Sequence, residues 1–196
     1  MRIAFIAVLL LPLTTLPAFS EDTREPATGT IARSPAEARA ELLDSLFARL
    51  HQVKNDDEAK LAEQAIWQLW MRSDSPTAEL LLTQAAAAMN KAEFDAALAV
   101  LDRLVAVHPD FAEAWNKRAT LYFMMGRFDE SLADIDKVLD LEPRHFGALS
   151  GRGMIYRKQG KYSEALAAFR DALAVNPSMG SVKDAVQELE KLEQPI

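Results

Sequence analysis

His51, His108 and His145 are the only histidines in the chain, and there is no cysteine. General base catalysis, or a metal site, would have to be assembled from these three imidazoles and the carboxylates. His108 directly precedes Pro109 and His145 follows Pro143 by two residues, so both stand beside helix-ending signals and are assigned to helix ends. Asp134, Asp136 and Asp140 fall along one helical stretch, but residues two apart point to different sides of a helix. They read as a solvated face, and no calcium-loop spacing surrounds them. Gly151-Arg152-Gly153 sits inside a helical pattern with no strand before it, unlike a phosphate-binding turn. Ser45, Ser131 and Ser150 lack the spaced His and Asp that would activate a hydroxyl. The expectation is a protein that is not an enzyme, with no catalytic, metal or cofactor residues.

The elements that place these residues are set by a repeat. Trp115, Ala119, Tyr122, Gly126, Phe128, Ser131, Ile135, Val138 and Pro143 are followed 34 residues later by Leu149, Gly153, Tyr156, Gly160, Tyr162, Ala165, Phe169, Ala172 and Pro177. Two short helices cannot bury an apolar face alone, so units repeating at this interval must stack on their neighbours. Ala119 and Gly153 mark close crossings within a pair, matched by Ala97, Ser131 and Ala165 on the second helices. Gly126 and Gly160 suit a left-handed turn after the first helix. Pro143 and Pro177 stop the second.

Order is expected to begin at Ser34, where Ser34, Pro35 and Glu37 form a capping-box pattern. Residues 34–72 then read as an N-terminal helix hairpin, with Leu42, Leu43, Leu46, Phe47, Leu50 and Val53 along one stripe. Asp56 or Asp57 is expected to cap its second helix. Three pairs follow, over 76–109, 110–143 and 144–177, the second of them capped by Asp110. In the first pair, Leu80, Leu81, Gln84, Ala85 and Ala88 are expected to face inward. A capping helix over 178–193 closes the last apolar surface. Strand signals are absent. The fold class is all-α, an α-solenoid of antiparallel helix hairpins.

These positions resemble tetratricopeptide repeats. Ala112 to Pro143 and Phe146 to Pro177 match well, whereas Ala78 to Pro109 diverges, with Leu81, Ala88 and Ala92 at the Trp, Tyr and Gly positions. The 34–72 pair keeps only the hairpin shape of a degenerate repeat. The resemblance implies a concave face lined by first helices, and a partner peptide bound there. Its lining would include Leu82 and Met89, then Asn116, Thr120, Phe123 and Met124, then Ser150, Met154, Arg157 and Lys158. The basic clamp with which some members grip a terminal carboxylate is not reproduced beyond Asn116 and Lys117. Trp67 and Met71 form a possible second interface.

Charge and targeting bound the partners. The chain has 22 Lys and Arg against 29 Asp and Glu, a formal charge of -7, which disfavours nucleic acid and anionic membrane surfaces. Met1-Arg2, the apolar run Ile3–Leu13 broken only by Pro12, and small residues at Ala18 and Ser20 read as a signal peptide cleaved after about Ser20. Residues 21–33 read as a flexible leader. Without cysteine, neither a disulfide nor a lipid anchor attached through an N-terminal cysteine is expected, and the apolar run is too short for a transmembrane anchor. The expected setting is the bacterial periplasm. There the chain would be an adaptor or assembly factor for one or more envelope proteins or peptides. Alternatives are a self-associating structural protein (a homo-oligomer), or a non-catalytic subunit of an envelope enzyme complex.

Overall fold

The computed structural model describes residues 34–53 and 55–192. The cleavage site and the leader lie outside the described residues. Among them nine helices and no strand occur: α1 (Pro35–Gln52), α2 (Asp56–Trp70), α3 (Pro76–Asn90), α4 (Phe94–Val107), α5 (Ala112–Met124), α6 (Phe128–Leu141), α7 (Phe146–Lys158), α8 (Tyr162–Val175) and α9 (Gly180–Leu192). None is long and apolar enough to cross a membrane.

Local chemistry sets the helix starts. Ser34 Oγ accepts from the Glu37 amide at 3.2 Å while Glu37 Oε2 accepts from the Ser34 amide at 2.8 Å. Both would otherwise be orphan donors at the helix end. Ser75 caps α3 through the Ala78 amide, with Pro76 at the first turn. Two expected caps are corrected. Asn55, one residue earlier than expected, accepts from the Asp57 amide at 2.9 Å. Asp56, Asp57 and Glu58 therefore fall in the first turn, where their charge complements the helix dipole. Asp110 does not cap α5 either: the cap position is Phe111, which has no side-chain acceptor and is buried instead.

Within each of the pairs α3/α4, α5/α6 and α7/α8 the helices join through three-residue turns that need a left-handed residue. Gly126 and Gly160 supply it at φ 73° and 74°, and Ala92 is forced to 58°. The pairs cross closely. Ser131 Oγ donates to the Ala119 carbonyl at 2.7 Å, and a Cβ at Gly153 would stand 2.5 Å from the Phe169 ring.

The N-terminal hairpin departs from the expectation that successive units stack. Its core of Leu43, Phe47, Leu50, Ala59, Ala62, Ile66 and Trp70 takes in Phe146 of α7 and packs against Val175 and Met179, far along the array. Helix α1 runs across the inter-repeat turns: Arg39 pairs with Asp74 at 2.9 Å, Asp44 with Arg144 at 2.6 Å, and His51 Nε2 meets the Ala174 carbonyl at 2.9 Å. Eighteen helical residues span about 27 Å, enough to bridge several turns. The hairpin is a brace along one edge of the solenoid.

Candidate functional site: a groove between the first helices

Helices α5 and α7 lie side by side, and α6 closes the space behind them. A depression opens between them, lined by Asn116, Thr120 and Phe123 from α5, Ile135 from α6, and Ser150, Gly151 and Met154 from α7. Five of the expected residues thus meet in one place: Asn116, Thr120, Phe123, Ser150 and Met154. Met124 is exposed one turn beyond Thr120, and Met154 is 43% exposed on the opposite wall. The groove continues toward α9, where Ser150, Met154 and Arg157 face Met179, Val182 and Ala185. Arg157 is engaged there, its Nη1 3.3 Å from Glu188. Lys158 is exposed at the end of α7.

Other expected positions are corrected. Leu82 is 0% exposed and Met89 7%, both inside the cluster that contains Ala114 and Leu121 of α5. They face the following first helix, so they fill the seam between helices rather than the groove. The register within α3 differs accordingly: Ala78, Leu82, Ala85 and Met89 point inward while Leu80 is 57% exposed. Trp67 and Met71 are also spoken for within the chain. The Trp67 ring stands edge-on to His145 and Phe146 at centroid distances of 5.4 Å. A Cβ at Gly147 would come within 2.6 Å of it. Met71 packs against the α3/α4 core.

Beneath one end of the groove lies a buried polar cluster. His145 caps α7, its Nδ1 accepting from the Ala148 amide at 3.1 Å. That fixes the other nitrogen as the donor, and Nε2 faces Glu113 Oε2 at 3.2 Å. Asn116 Nδ2 donates to the same carboxylate at 3.0 Å. Lys117 Nζ stands 3.3 Å from Glu113 Oε1, as an ion pair outside hydrogen-bonding geometry. Burial alone would push the Glu113 carboxyl up, but the His145 and Asn116 hydrogen bonds and the Lys117 charge hold it below its ordinary value. Trp70 stacks on the His145 ring at 4.1 Å, so this cluster joins brace to groove. Its place beside a turn agrees with the helix-end assignment of His145, and its partners explain why a carboxylate can be buried there.

Asp134 is not part of a solvated face. It is 4% exposed and grips Arg118 through two 2.8 Å contacts, while Arg118 Nη1 reaches Asp102 at 2.9 Å and its guanidinium lies over Trp115. One repeat later Arg152 pairs with Asp136 at 2.6 Å. The signal was available: Arg118 and Arg152, like Asp102 and Asp136, are 34 residues apart. No group of acidic and imidazole side chains suited to a metal ion occurs among the described residues.

Stacked helix pairs with a groove along the first helices define the class, an α-solenoid. Residues 84–145 and 117–180 each match a model of the tetratricopeptide repeat family. A TPR repeat-containing protein of Rhizobium etli is 38% identical over 94 residues, 48% of this chain and 46% of that protein. The chain therefore matches only about half the length of this relative. The first TPR domain of Spaghetti (RPAP3), bound to an HSP90 peptide, superposes with a TM-score of 0.58 at 19% identity, over 61% of this chain and 94% of that one. The Yersinia enterocolitica secretion chaperone SycD, in complex with a peptide of the translocator YopD, gives 0.58 at 12% identity, over 62% and 98%. At such identities the likeness to the solved structures is one of fold.

Proposed function

We propose that this protein is a non-catalytic adaptor or assembly factor of the bacterial periplasm that holds a segment of another envelope protein on its concave face. The observation that carries this reading is the groove where Phe123, Ile135 and Met154 meet Asn116, Thr120 and Ser150. Apolar walls with a few amide and hydroxyl groups suit a peptide, and the methionines adapt to varied side chains. RPAP3 and SycD, which share the fold, each hold a peptide of another protein. Export is supported by the charged start, the apolar run and the small residues before Glu21. The test is capture from native envelope extract with the wild type and with a Phe123→Asp, Met154→Asp double variant that is shown to be folded. A partner retained by the first and lost by the second is expected; identical partner lists exclude the groove.

A second reading, self-association, draws on the open apolar channel between α1 and α2, lined by Pro35, Leu42, Leu46 and Leu69, with Leu42 48% exposed. Light scattering that finds only monomer at micromolar concentration removes it.

A further inference from the structure

Helix α7 contains three glycines, one in its first turn and two in its interior, and packing requires only two of the three. A Cβ at Gly147 would strike the Trp67 ring and one at Gly153 the Phe169 ring. At Gly151 it would meet Ile135 Cδ1 at 3.6 Å, an ordinary van der Waals contact. Glycine inside a helix is destabilising relative to alanine, and neither a crossing nor a turn explains it here. What the missing side chain does is keep the depression open, because Gly151 lies on its wall among Phe123, Ile135, Met154 and Ile155.

We propose that Gly151 is a specificity-determining position: it leaves room for one bulky apolar side chain of a bound protein segment, next to an acidic residue met by Lys158. This rests on the concave-face reading above. The apolar part follows from the walls. The acidic part follows from charge. Met154 and Lys158 are one turn apart on the same face of α7. Lys158 is exposed and forms no ion pair among the described residues, whereas Arg157 is tied to Glu188. An exposed cation one turn beyond Met154, with no carboxylate paired to it among the described residues, favours an acidic residue beside it and disfavours a basic one.

The experiment selects displayed random dodecapeptides on the wild-type chain and measures the winners against Gly151→Ala, Gly151→Leu, Lys158→Glu and Phe123→Asp. Winners should pair Phe, Leu, Met or Trp with a neighbouring Asp or Glu. Gly151→Leu should weaken them at least about tenfold, and Gly151→Ala less. Gly151→Ala should nevertheless raise the Tm by about 3 °C, so lost binding cannot be lost folding; the circular dichroism spectrum checks the same for the Leu variant. Undiminished binding to a folded Gly151→Leu variant overturns the pocket, while the broader reading survives if Phe123→Asp still abolishes binding. Winners without an acidic residue, or indifferent to Lys158→Glu, overturn the charge assignment. Winners that reproduce a stretch of this chain overturn the proposal in favour of a second copy. If no peptide is enriched on the wild type, or if Phe123→Asp also binds normally, the concave-face reading falls with it.

Discussion

Ala92 and Gly126 occupy equivalent turns, yet only one is suited to the geometry. Both close the same hydrogen-bonded turn, the Glu93 amide donating to the Ala88 carbonyl at 2.9 Å and the Arg127 amide to the Tyr122 carbonyl at 2.8 Å. Holding an alanine at φ 58° costs about 1–2 kcal/mol, while glycine's extra unfolded-state entropy costs about 0.5–1 kcal/mol. The first exceeds the second, so Ala92→Gly should stabilise the chain by up to about 1.5 kcal/mol. Urea denaturation reads this as a higher midpoint at an unchanged slope; a lower midpoint would show that the turn is not strained. Gly126→Ala should do the reverse. At this scale the sequence was informative wherever a residue type answers a backbone demand. It was misleading at Asp134, because two-residue spacing reports direction around the helix but not which neighbour waits there.

One imidazole adds a pH-dependent contact to the docking of α1. His51 Nδ1 lies 2.9 Å from the Phe47 carbonyl in its own helix, and Nε2 2.9 Å from the Ala174 carbonyl in the last turn of α8. Both partners are acceptors, so only the doubly protonated ring donates to both, and helix C-termini favour its positive charge. The Phe47 and Ala174 carbonyls therefore raise its pKa above the usual 6.5, against a smaller opposing effect of burial. With the folded value raised, the contact contributes fully below the ordinary imidazole value and is lost as pH rises through the folded one. The wild type should thus exceed His51→Ala in stability by more at pH 6 than at pH 8, measured by urea midpoints. A gap that is constant or widens with pH would rule out the charged bridge. Glu113 works in the opposite direction: its lowered value means stability present above the normal carboxylate range and lost on acidification. The helices themselves were legible from caps, prolines and periodic apolar residues. The register of α3 was not, because Leu81 and Leu82 are equally apolar and only the position of α5 distinguishes core from groove.

Over the whole described molecule, the brace adds a constraint that stacking alone does not provide. A solenoid held only by nearest-neighbour contacts can flex at each junction. Helix α1 reaches several inter-repeat turns at once, and Trp70 locks the hairpin through its 4.1 Å stack on His145 and its contact with Phe146. Trp70→Ala should cost about 3–5 kcal/mol. The loss should fall on the hairpin's seat rather than on the repeats. Limited proteolysis is expected to cut first near Ser73, leaving the 76–192 stretch resistant; simultaneous digestion of both parts would mean that the hairpin and the array unfold as one. The same anchoring holds the end of the groove near Gly147 under Trp67.

The order of helices, their pairing and the turn residues were determined by the sequence, because each depends on neighbours within one 34-residue period, where apolar spacing and backbone preference act directly. The seat of the N-terminal hairpin was decided only in three dimensions. Asp44 and Arg144 are 100 residues apart, Glu63 and Asn176 113, and His51 and Ala174 123. No local period encodes such pairings. They form because a completed array presents a row of turns with Phe146 and His145 between them, and the hairpin's apolar face can be buried there.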